Sequence, residues 1–258
     1  MCIRDRQHIA TTNASTYTFS STSTGGANDI GATASDRMVI CGAGISATAT
    51  ATRNISTTAI GGVTTATSLQ LRHQRSATVG STFNTYAQHI VTALISTATT
   101  ANVVVTATTT VGNCSINVWS ATHVGASFAT YGTFTTATVG WATATGGSSM
   151  TTTVGSAGFY VARAMGSVSV LGVTWTGATE DHDTYVEGSS VFHSGANGAT
   201  GGTVTVAASA TTNIIYGAIW AAFGDNSPVS SAALYRTFLP LHSAAVGRRP
   251  LMAWSAER

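Results

Sequence analysis

The feature that most constrains this chain is an internal repeat of 21 residues. The stretch Thr203–Phe223 (TVTVAASATTNIIYGAIWAAF) aligns without a gap on Asn102–Thr122 (NVVVTATTTVGNCSINVWSAT), 101 residues earlier. The alignment places Trp119 on Trp220. Each copy has the apolar and small-polar pattern of a strand, a short turn and a second strand. A repeat of this kind predicts two units of the same plan that arose by internal duplication.

The composition predicts that both units are built from β-sheet. Threonine accounts for 47 of the 258 residues, lysine is absent, and charged residues make up 8% of the chain. Threonine and valine favour the pleated surface of a sheet and lose rotamer freedom in a helix. Short apolar runs recur every ~8–12 residues with glycine-rich turns between them, as in sandwiches. The predicted fold is all-β: two tandem antiparallel β-sandwich units, jelly-roll or Ig-like.

Four segments are expected along the chain. Residues 1–6 (MCIRDR) are interpreted as a sequencing-adapter scar, because their codons resemble the end of a transposase adapter. The first sandwich is predicted over residues 7–124 and the second over residues 125–224. Residues 225–258 hold all three prolines, which cannot donate to a sheet ladder, so this tail is predicted to join neither core, and to be either disordered or misjoined.

The repeat copies are predicted to close their units as hairpins, over Asn102–Trp119 and Thr203–Trp220. In the first copy, alternation places Cys114, Ile116 and Val118 on an apolar face. The opposite face, which is predicted to meet water, carries Asn113, Ser115, Asn117 and Trp119. A polar loop is predicted around residues 72–75.

The closing strand of the second copy is apolar on both faces, so it is predicted to be covered on both. One face would pack in the second sandwich, and the other would meet the first unit, the tail or a neighbouring subunit. Ile214, Tyr216 and Trp220 are the candidate interface residues, because leaving them in water would create an exposed apolar patch.

An acidic cluster is the candidate metal site. Glu180–Glu187 (EDHDTYVE) holds four of the nine acidic residues, and Asp181, Asp183 and Glu187 offer the oxygen ligands that Ca²⁺ prefers. The spacing lacks the pattern of a calcium loop. A solvated hairpin tip is therefore the simpler interpretation, and no tight metal binding is expected.

Four aromatic residues are candidates for a sugar-binding platform: Trp141, Tyr160, Trp175 and Tyr185. Tryptophan and tyrosine combine an apolar ring with a polar edge, which suits a wet binding surface. Packing in a core or at an interface is the alternative explanation for the same residues.

Neither an enzyme nor a cofactor site is predicted. Gly42, Gly44 and Ala47 form a G-x-G-x-x-A pattern after an apolar strand, but no helix pattern follows, and no acidic residue comes about 20 residues later. A glycine turn is the simpler interpretation. Neither a G-x-S-x-G nor an H-E-x-x-H motif occurs. Cys41 and Cys114 are predicted to be buried free thiols, with a bridge between them as the alternative.

The segments SDRMVICGAG, NISTTAIGGV and TTANVVVTATTTVGNCSINVWSAT resemble β-rich structural proteins of tailed phages and their metagenomic relatives. The resemblance implies a virion component in a tail, fibre or capsid-decorating role, with other virion proteins or its own copies as partners. The alternative is a secreted carbohydrate-binding or adhesion module that contacts cell-surface glycans. The net charge of +2 predicts no nucleic-acid partner, and no apolar run is long enough for a membrane span. The expected location is the virion, or otherwise the cell exterior.

Overall fold

The chain is all-β, and its strands form antiparallel sheets. The structure is a computed structural model that describes residues 4–20, 29–48, 53–61, 63–64, 68–75, 84–124, 130–135, 148–151, 159–167, 173–186, 191–198, 203–208 and 215–224. All of these residues belong to one compact unit, Met1–Asn226. The predicted tail lies outside the described residues.

In the first half of the chain, the described residues form nine strands. They are β1 (Arg4–Ala10), β2 (Ala14–Phe19), β3 (Met38–Thr48), β4 (Ile55–Ile60), β5 (Val63–Thr64), β6 (Ser68–Arg75), β7 (Asn84–Leu94), β8 (Val103–Val111) and β9 (Asn113–Ala121). Sheet I has the order β1-β9-β3-β7-β6, and sheet II has the order β2-β8-β4-β5. Residues 4–6, which the sequence analysis set aside, form the beginning of β1 and pair with β9.

In the second half, the part of the chain that the structure describes forms eight strands. They are β10 (Thr130–Thr135), β11 (Ser148–Thr151), β12 (Phe159–Ser167), β13 (Val173–Thr176), β14 (Thr179–Val186), β15 (Val191–Gly198), β16 (Thr203–Ala208) and β17 (Ile215–Phe223). Sheet III has the order β10-β17-β12-β15-β14, and sheet IV has the order β11-β16-β13.

Sheets I and II enclose an apolar core, which makes the first half a sandwich. Alternate residues of β3 and β9 point into this core from sheet I, and alternate residues of β8 point into it from sheet II. Its members include Val39, Cys41, Ala43, Ile45, Val103, Val105, Cys114, Ile116 and Val118. Cys41 and Cys114 are buried free thiols, as predicted.

The predicted closing hairpins are wrong, although their strands are where the pattern placed them. β8 belongs to sheet II and β9 to sheet I, so the turn at Gly112 carries the chain from one sheet to the other. β16 and β17 are likewise in different sheets. In the first half the reason is the core, because both strands bury one face in it from opposite sides. The polar loop predicted at residues 72–75 is also wrong, since β6 continues to Arg75.

The other face of sheet I packs on sheet III. A second apolar cluster joins β3, β7 and β9 to β12 and β17, and its members include Ile40, Ile90, Trp119, Phe159, Val161, Ile219 and Ala221. Within sheet III, Phe159 and Phe223 stack with ring centroids 5.9 Å apart. Sheet I is therefore covered on both faces, by sheet II and by sheet III.

The two halves share a strand order, but their aligned tryptophans lie on different faces of their sheets. In sheet I and in sheet III the first strand of the half is at one edge beside the last strand. The aligned tryptophans nevertheless face differently. Trp119 packs between sheets I and III. Ile219 and Ala221, which flank Trp220 in β17, face sheet I. Because side chains alternate along a strand, Trp220 is on the opposite side of sheet III. The internal duplication therefore stays a prediction.

Candidate functional site

The most distinctive site is a buried polar cluster between sheets I and III, centred on Arg163 of β12. We call it the Arg163 cluster: Arg163, Ser115, Asn117, Asp181, His182 and His193. Arg163 is 0% exposed, and so are Ser115, Asn117 and His193. Polar side chains without water need partners inside the protein, and here most are supplied across the two sheets, although Arg163 Nε and His193 Nε2 have no partner among the described residues.

The Arg163 guanidinium is held by hydrogen bonds to sheet I. Its Nη1 donates to the Gly42 carbonyl oxygen at 3.1 Å and to Asn117 Oδ1 at 2.5 Å. Its Nη2 donates to the Ser115 hydroxyl and lies 3.2 Å from His193 Nδ1. The planar fork of an arginine can reach several acceptors at once, which suits a site where no water competes.

Ser115 and His193 form a close pair across the two sheets. Ser115 Oγ lies 2.5 Å from His193 Nδ1. Because an arginine can only donate, both the Ser115 oxygen and His193 Nδ1 accept from Arg163, and the Ser115 hydrogen can then point to His193. His193 Nδ1 is then an acceptor, so the ring is neutral with its hydrogen on Nε2. This distance would suit a nucleophile and its base, but both side chains are 0% exposed, so no substrate reaches them in this conformation.

A β-bulge places two consecutive residues of β14 in the cluster. The register of β14 on β15 shifts between Glu180 and His182, so the usual alternation of side chains is broken at Asp181. Asn117 Nδ2 lies 3.0 Å from His182 Nδ1 and 3.2 Å from Nε2. Trp119 Nε1 donates to Asp181 Oδ2 at 2.8 Å. Residues 180–186 of the acidic segment are thus in β14, with Asp181 and His182 against sheet I, so the predicted solvated hairpin tip is wrong for them.

Burial and the Arg163 charge set the protonation states of the cluster. Burial lowers the pKa of Arg163 to about 10. Burial and then the nearby Arg163 charge lower the pKa of His182 to about 3 and hold that of His193 well below its usual value. Burial raises the pKa of Asp181, against hydrogen bonds from Trp119 and Asn197 that lower it. Both histidines are therefore neutral at pH 7.

Glycines of sheets I and III make room for the long side chains of the cluster. A Cβ on Gly44 would lie 2.5 Å from Arg163 Nη2 and 2.9 Å from Met165 Sδ. A Cβ on Gly195 would lie 2.5 Å from Asn117 Nδ2. Gly42 and Gly44 lie within β3, so the glycine turn predicted there is wrong. The spacing that resembles a dinucleotide motif instead leaves space for Arg163 between two sheets.

The polar face of β9 is not the wet face that alternation predicted. The whole of β9 is buried, including Asn113, Ser115 and Asn117. Sheet III covers this face and brings Arg163 and the two histidines as partners. The pattern of one polar and one apolar face was right, but a second polar surface took the place of water.

Two of the four predicted aromatic platform residues are buried. Tyr160 is 2% exposed and donates its hydroxyl to the Gly177 carbonyl oxygen. Trp175 is 7% exposed, and its Nε1 donates to Ser194 Oγ at 2.7 Å, which ties β13 to β15. As a surface platform the prediction is wrong for these two, because each ring packs inside. Trp141 and the side chain of Tyr185 lie outside the described residues.

The candidate metal site, where no tight binding was predicted, is only partly described. Asp181 uses its carboxylate for hydrogen bonds from Trp119 and Asn197. The side chain of Asp183 and the whole of Glu187 lie outside the described residues. Among the described residues, no group of three or more histidine, cysteine, aspartate or glutamate side chains is placed to hold a metal ion.

The predicted interface residues fall on β17 and just before it. Trp220 is 7% exposed, and all described side chains of this strand are buried. The face that meets sheet I carries Ile219 and Ala221, not Trp220. Ile214 and the side chain of Tyr216 lie outside the described part of the chain, so their role stays a prediction.

The Asp-Arg pair at the start of β3 organises loops. Among the described residues, the buried Arg37 guanidinium donates to four backbone carbonyl oxygens, those of Gly31, Ala32, Ile95 and Ala98. The neighbouring Asp36 accepts from the backbone N–H of His123 at 2.9 Å, where His123 has a φ of 62°. These motif residues therefore act in folding rather than in chemistry.

Arg163 and His193 were not among the site residues predicted from the sequence. Arg163 is the first charged residue after Arg75, and it lies in the apolar strand pattern GFYVAR. A lone arginine in such a strand is a signal for a buried polar site, because arginine is almost never fully buried without partners.

The chain matches no protein-family model, and no curated protein and no solved structure is significantly similar to it. In the described part of the chain there is no helix that is long and apolar enough to cross a membrane.

Proposed function

We propose that this protein is a non-enzymatic structural component of a phage virion, in a tail, fibre or capsid-decorating role. The observation that carries the proposal is the use made of the Arg163 cluster. Groups that elsewhere perform chemistry, a serine, two histidines and an arginine, here join sheet I to sheet III by hydrogen bonds. Three sheets are thereby packed in successive layers, an arrangement suited to a structural role.

Two further features support this role. Charged residues make up only 8% of the chain, so little charge repulsion keeps copies or neighbouring proteins apart. The strand motifs that resemble phage structural proteins fall on β3, on β4 and on the β8–β9 segment, which build the first sandwich. Other virion proteins or further copies of this chain are the proposed partners.

The test is proteomics of purified virus particles from the host or community that carries the gene. Trypsin is a poor choice of protease, because the chain has no lysine and no arginine between Arg75 and Arg163. The chain should co-purify with the major capsid protein through a density gradient and stay with it after a high-salt wash. Chymotryptic digestion of the washed particles should then yield its peptides. Peptides found only in the particle-free supernatant would overturn the proposal.

The adhesion alternative is favoured by one surface feature. A cleft of about 470 Å³ is lined by Gly61, Leu94, Ser96, Thr97 and Asn102, among others. Leu94 is 56% exposed at its edge, and hydroxyl and amide groups supply donors and acceptors for a sugar. Specific binding of the purified chain on a glycan array, lost in Leu94→Ser, would favour this alternative.

A further inference from the structure

We propose that the Arg163 cluster is an acid-sensitive clasp: protonation of His182 and His193 loosens sheet III from sheet I while the sandwich of sheets I and II stays folded. This device concerns the conformation of the chain and goes beyond the structural role proposed above.

The hydrogen-bond directions in the clasp require neutral histidines. Arg163 can only donate, so the Asn117 oxygen that it contacts must be the acceptor, and the Asn117 nitrogen must face His182. Arg163 Nη2 lies 3.2 Å from His193 Nδ1, so this ring nitrogen must also be an acceptor. Each histidine therefore accepts a hydrogen bond. Protonation turns the accepting nitrogen of His182 into a donor facing Asn117 Nδ2, and it turns His193 Nδ1 into a donor facing Arg163 Nη2, so each histidine loses a hydrogen bond across the clasp.

The charges around the clasp add to this effect. His193 Nδ1 lies 3.2 Å from the Arg163 guanidinium, so a protonated His193 would place two positive charges in contact without water. Asp181 is the single described carboxylate in the cluster, and it is engaged by Trp119 and Asn197.

The other titratable groups near the clasp are few. On the clasp face of sheet I, the described side chains include one further titratable group, Tyr86 of β7. The strand β1 pairs Asp5 with Trp119, and β6, which contacts β17, carries Arg72, His73 and Arg75; the side chains of these four residues lie outside the described part. Cys41, Cys114 and His89 belong to the opposite face of sheet I, toward sheet II.

The direction of the pH effect follows from the lowered histidine pKa values. In the closed clasp the pKa of His182 is about 3 and that of His193 is well below its usual value, whereas in the opened clasp both return toward about 6.5. At the two histidines the closed form binds fewer protons, so the stability that they contribute is present above pH ~6.5 and falls as the pH decreases below that value, whereas the raised pKa of Asp181 acts in the opposite direction. Between pH 7 and pH 5, each histidine should shift the opening equilibrium about 20-fold, and the two together several hundredfold.

A thiol placed in the clasp interface measures opening. Ala221 is 0% exposed on the face of β17 that meets sheet I, and cysteine is little larger than alanine. In a Cys2→Ser, Ala221→Cys protein, labelling by 4,4′-dithiodipyridine, which reacts in acid, is followed by mass spectrometry of each cysteine peptide. Rates are divided by those of the urea-unfolded protein at the same pH. The native Cys41 and Cys114 report on the sandwich of sheets I and II.

We expect the normalised labelling of the new thiol to rise several hundredfold from pH 7 to pH 5, while Cys41 and Cys114 stay protected. Equal labelling of all three thiols would mean global unfolding and would overturn the proposal, as would labelling of the new thiol that does not change with pH.

Histidine variants identify the groups responsible. His182→Gln and His193→Gln keep an acceptor but cannot be protonated. Each variant should therefore reduce the rise in labelling between pH 7 and pH 5 by a factor of about 20, and the double variant should show almost no rise. His123→Gln, at an exposed site paired with Asp36, is the matched control and should leave the rise intact. If the double variant does not fold, the two single variants decide. A rise that persists unchanged in both of them would contradict the clasp.

Discussion

The two faces of sheet I lie against two different kinds of interior. Toward sheet II the interior is apolar and includes valine, isoleucine and cysteine side chains. Toward sheet III an apolar cluster continues into the polar Arg163 cluster. Strand β9 belongs to both, with Ile116 on the first side and Asn117 on the second. The comparison teaches that alternation in a strand predicts the polarity of each face but not whether a face meets water.

The two interiors also differ in how polar groups are treated. In the Arg163 cluster the histidines accept hydrogen bonds from Ser115 and Asn117. On the sheet II side His89 is buried, and neither of its ring nitrogens has a hydrogen-bond partner among the described residues, whereas His193 lacks one only at Nε2. Burial and then the Arg163 charge lower the pKa of His89 to about 4. A buried polar group with partners joins surfaces together, whereas one without partners only costs stability.

The largest expected effect comes from the aligned tryptophans. Trp119→Ala and Trp220→Ala should each destabilise the fold by about 3–5 kcal/mol, because each removes a buried ring. Trp119→Ala should be the more severe, since it also leaves Asp181 without one of its donors. Urea denaturation measures both, with the exposed Thr109→Ala as a control that should change stability by less than about 0.5 kcal/mol. A loss below about 1 kcal/mol for Trp119→Ala would mean that sheet III does not cover this face.

The next effect tests the space left by glycine in the polar interior. Gly44→Ala should cost about 1–3 kcal/mol, because its Cβ would lie 2.5 Å from Arg163 Nη2 and the packed guanidinium must shift. Gly112→Ala is the matched control, since the atoms nearest its Cβ are 3.7 Å away. Thermal denaturation of the two variants side by side measures the difference. Equal melting temperatures would show that Arg163 is not confined by β3.

Two histidine substitutions should change the free energy of unfolding at pH 7 in opposite directions. His89→Leu should stabilise the fold by about 1–3 kcal/mol, because it removes a buried polar ring without partners. His193→Leu should destabilise it by a similar amount, because Ser115 and Arg163 lose an acceptor. Chemical denaturation measures both, and a shared sign would abolish the distinction between the two interiors.

The stability of His89→Leu should also depend less on pH than that of the unsubstituted protein. A folded-state pKa of about 4 for His89 means that the unfolded chain takes up a proton first as the pH falls below about 6.5. This histidine should therefore reduce stability progressively between pH 6.5 and pH 4, by about 3 kcal/mol in all. His89→Leu should lose that part of the acid sensitivity in denaturation curves recorded at several pH values.

The smallest expected effect is an absence of reaction on the apolar side of β9. Burial raises the pKa of Cys41 to about 12 and raises that of Cys114 as well. In the Cys2→Ser protein, iodoacetamide at pH 8 should modify neither thiol, because the thiolate is the reactive form. Mass spectrometry measures the modification, and urea-unfolded protein provides the positive control. Rapid modification of Cys114 would mean that sheet II does not seal this face.

The fold class and many of the strands were predictable from the sequence, because threonine content and alternation act within each strand. The partners of the strands were not. The short turn at Gly112 fits a hairpin and an arch between sheets equally well, and only the shared core decides between them. The bulge at Asp181 adds no recognisable local signal. The Arg163 cluster joins residues 46 and 30 positions apart, which no local pattern relates.

The glycines opposite the Arg163 cluster have an evolutionary consequence. Because Gly44 has no Cβ, Arg163 can occupy the volume beside it, and Gly195 leaves room for Asn117 in the same way. Neither position can grow unless the residue across the sheets shrinks in the same lineage. Among descendants of this gene, positions 44 and 163, and positions 195 and 117, should therefore change together, and that covariation would record the contact between sheets I and III without any structure.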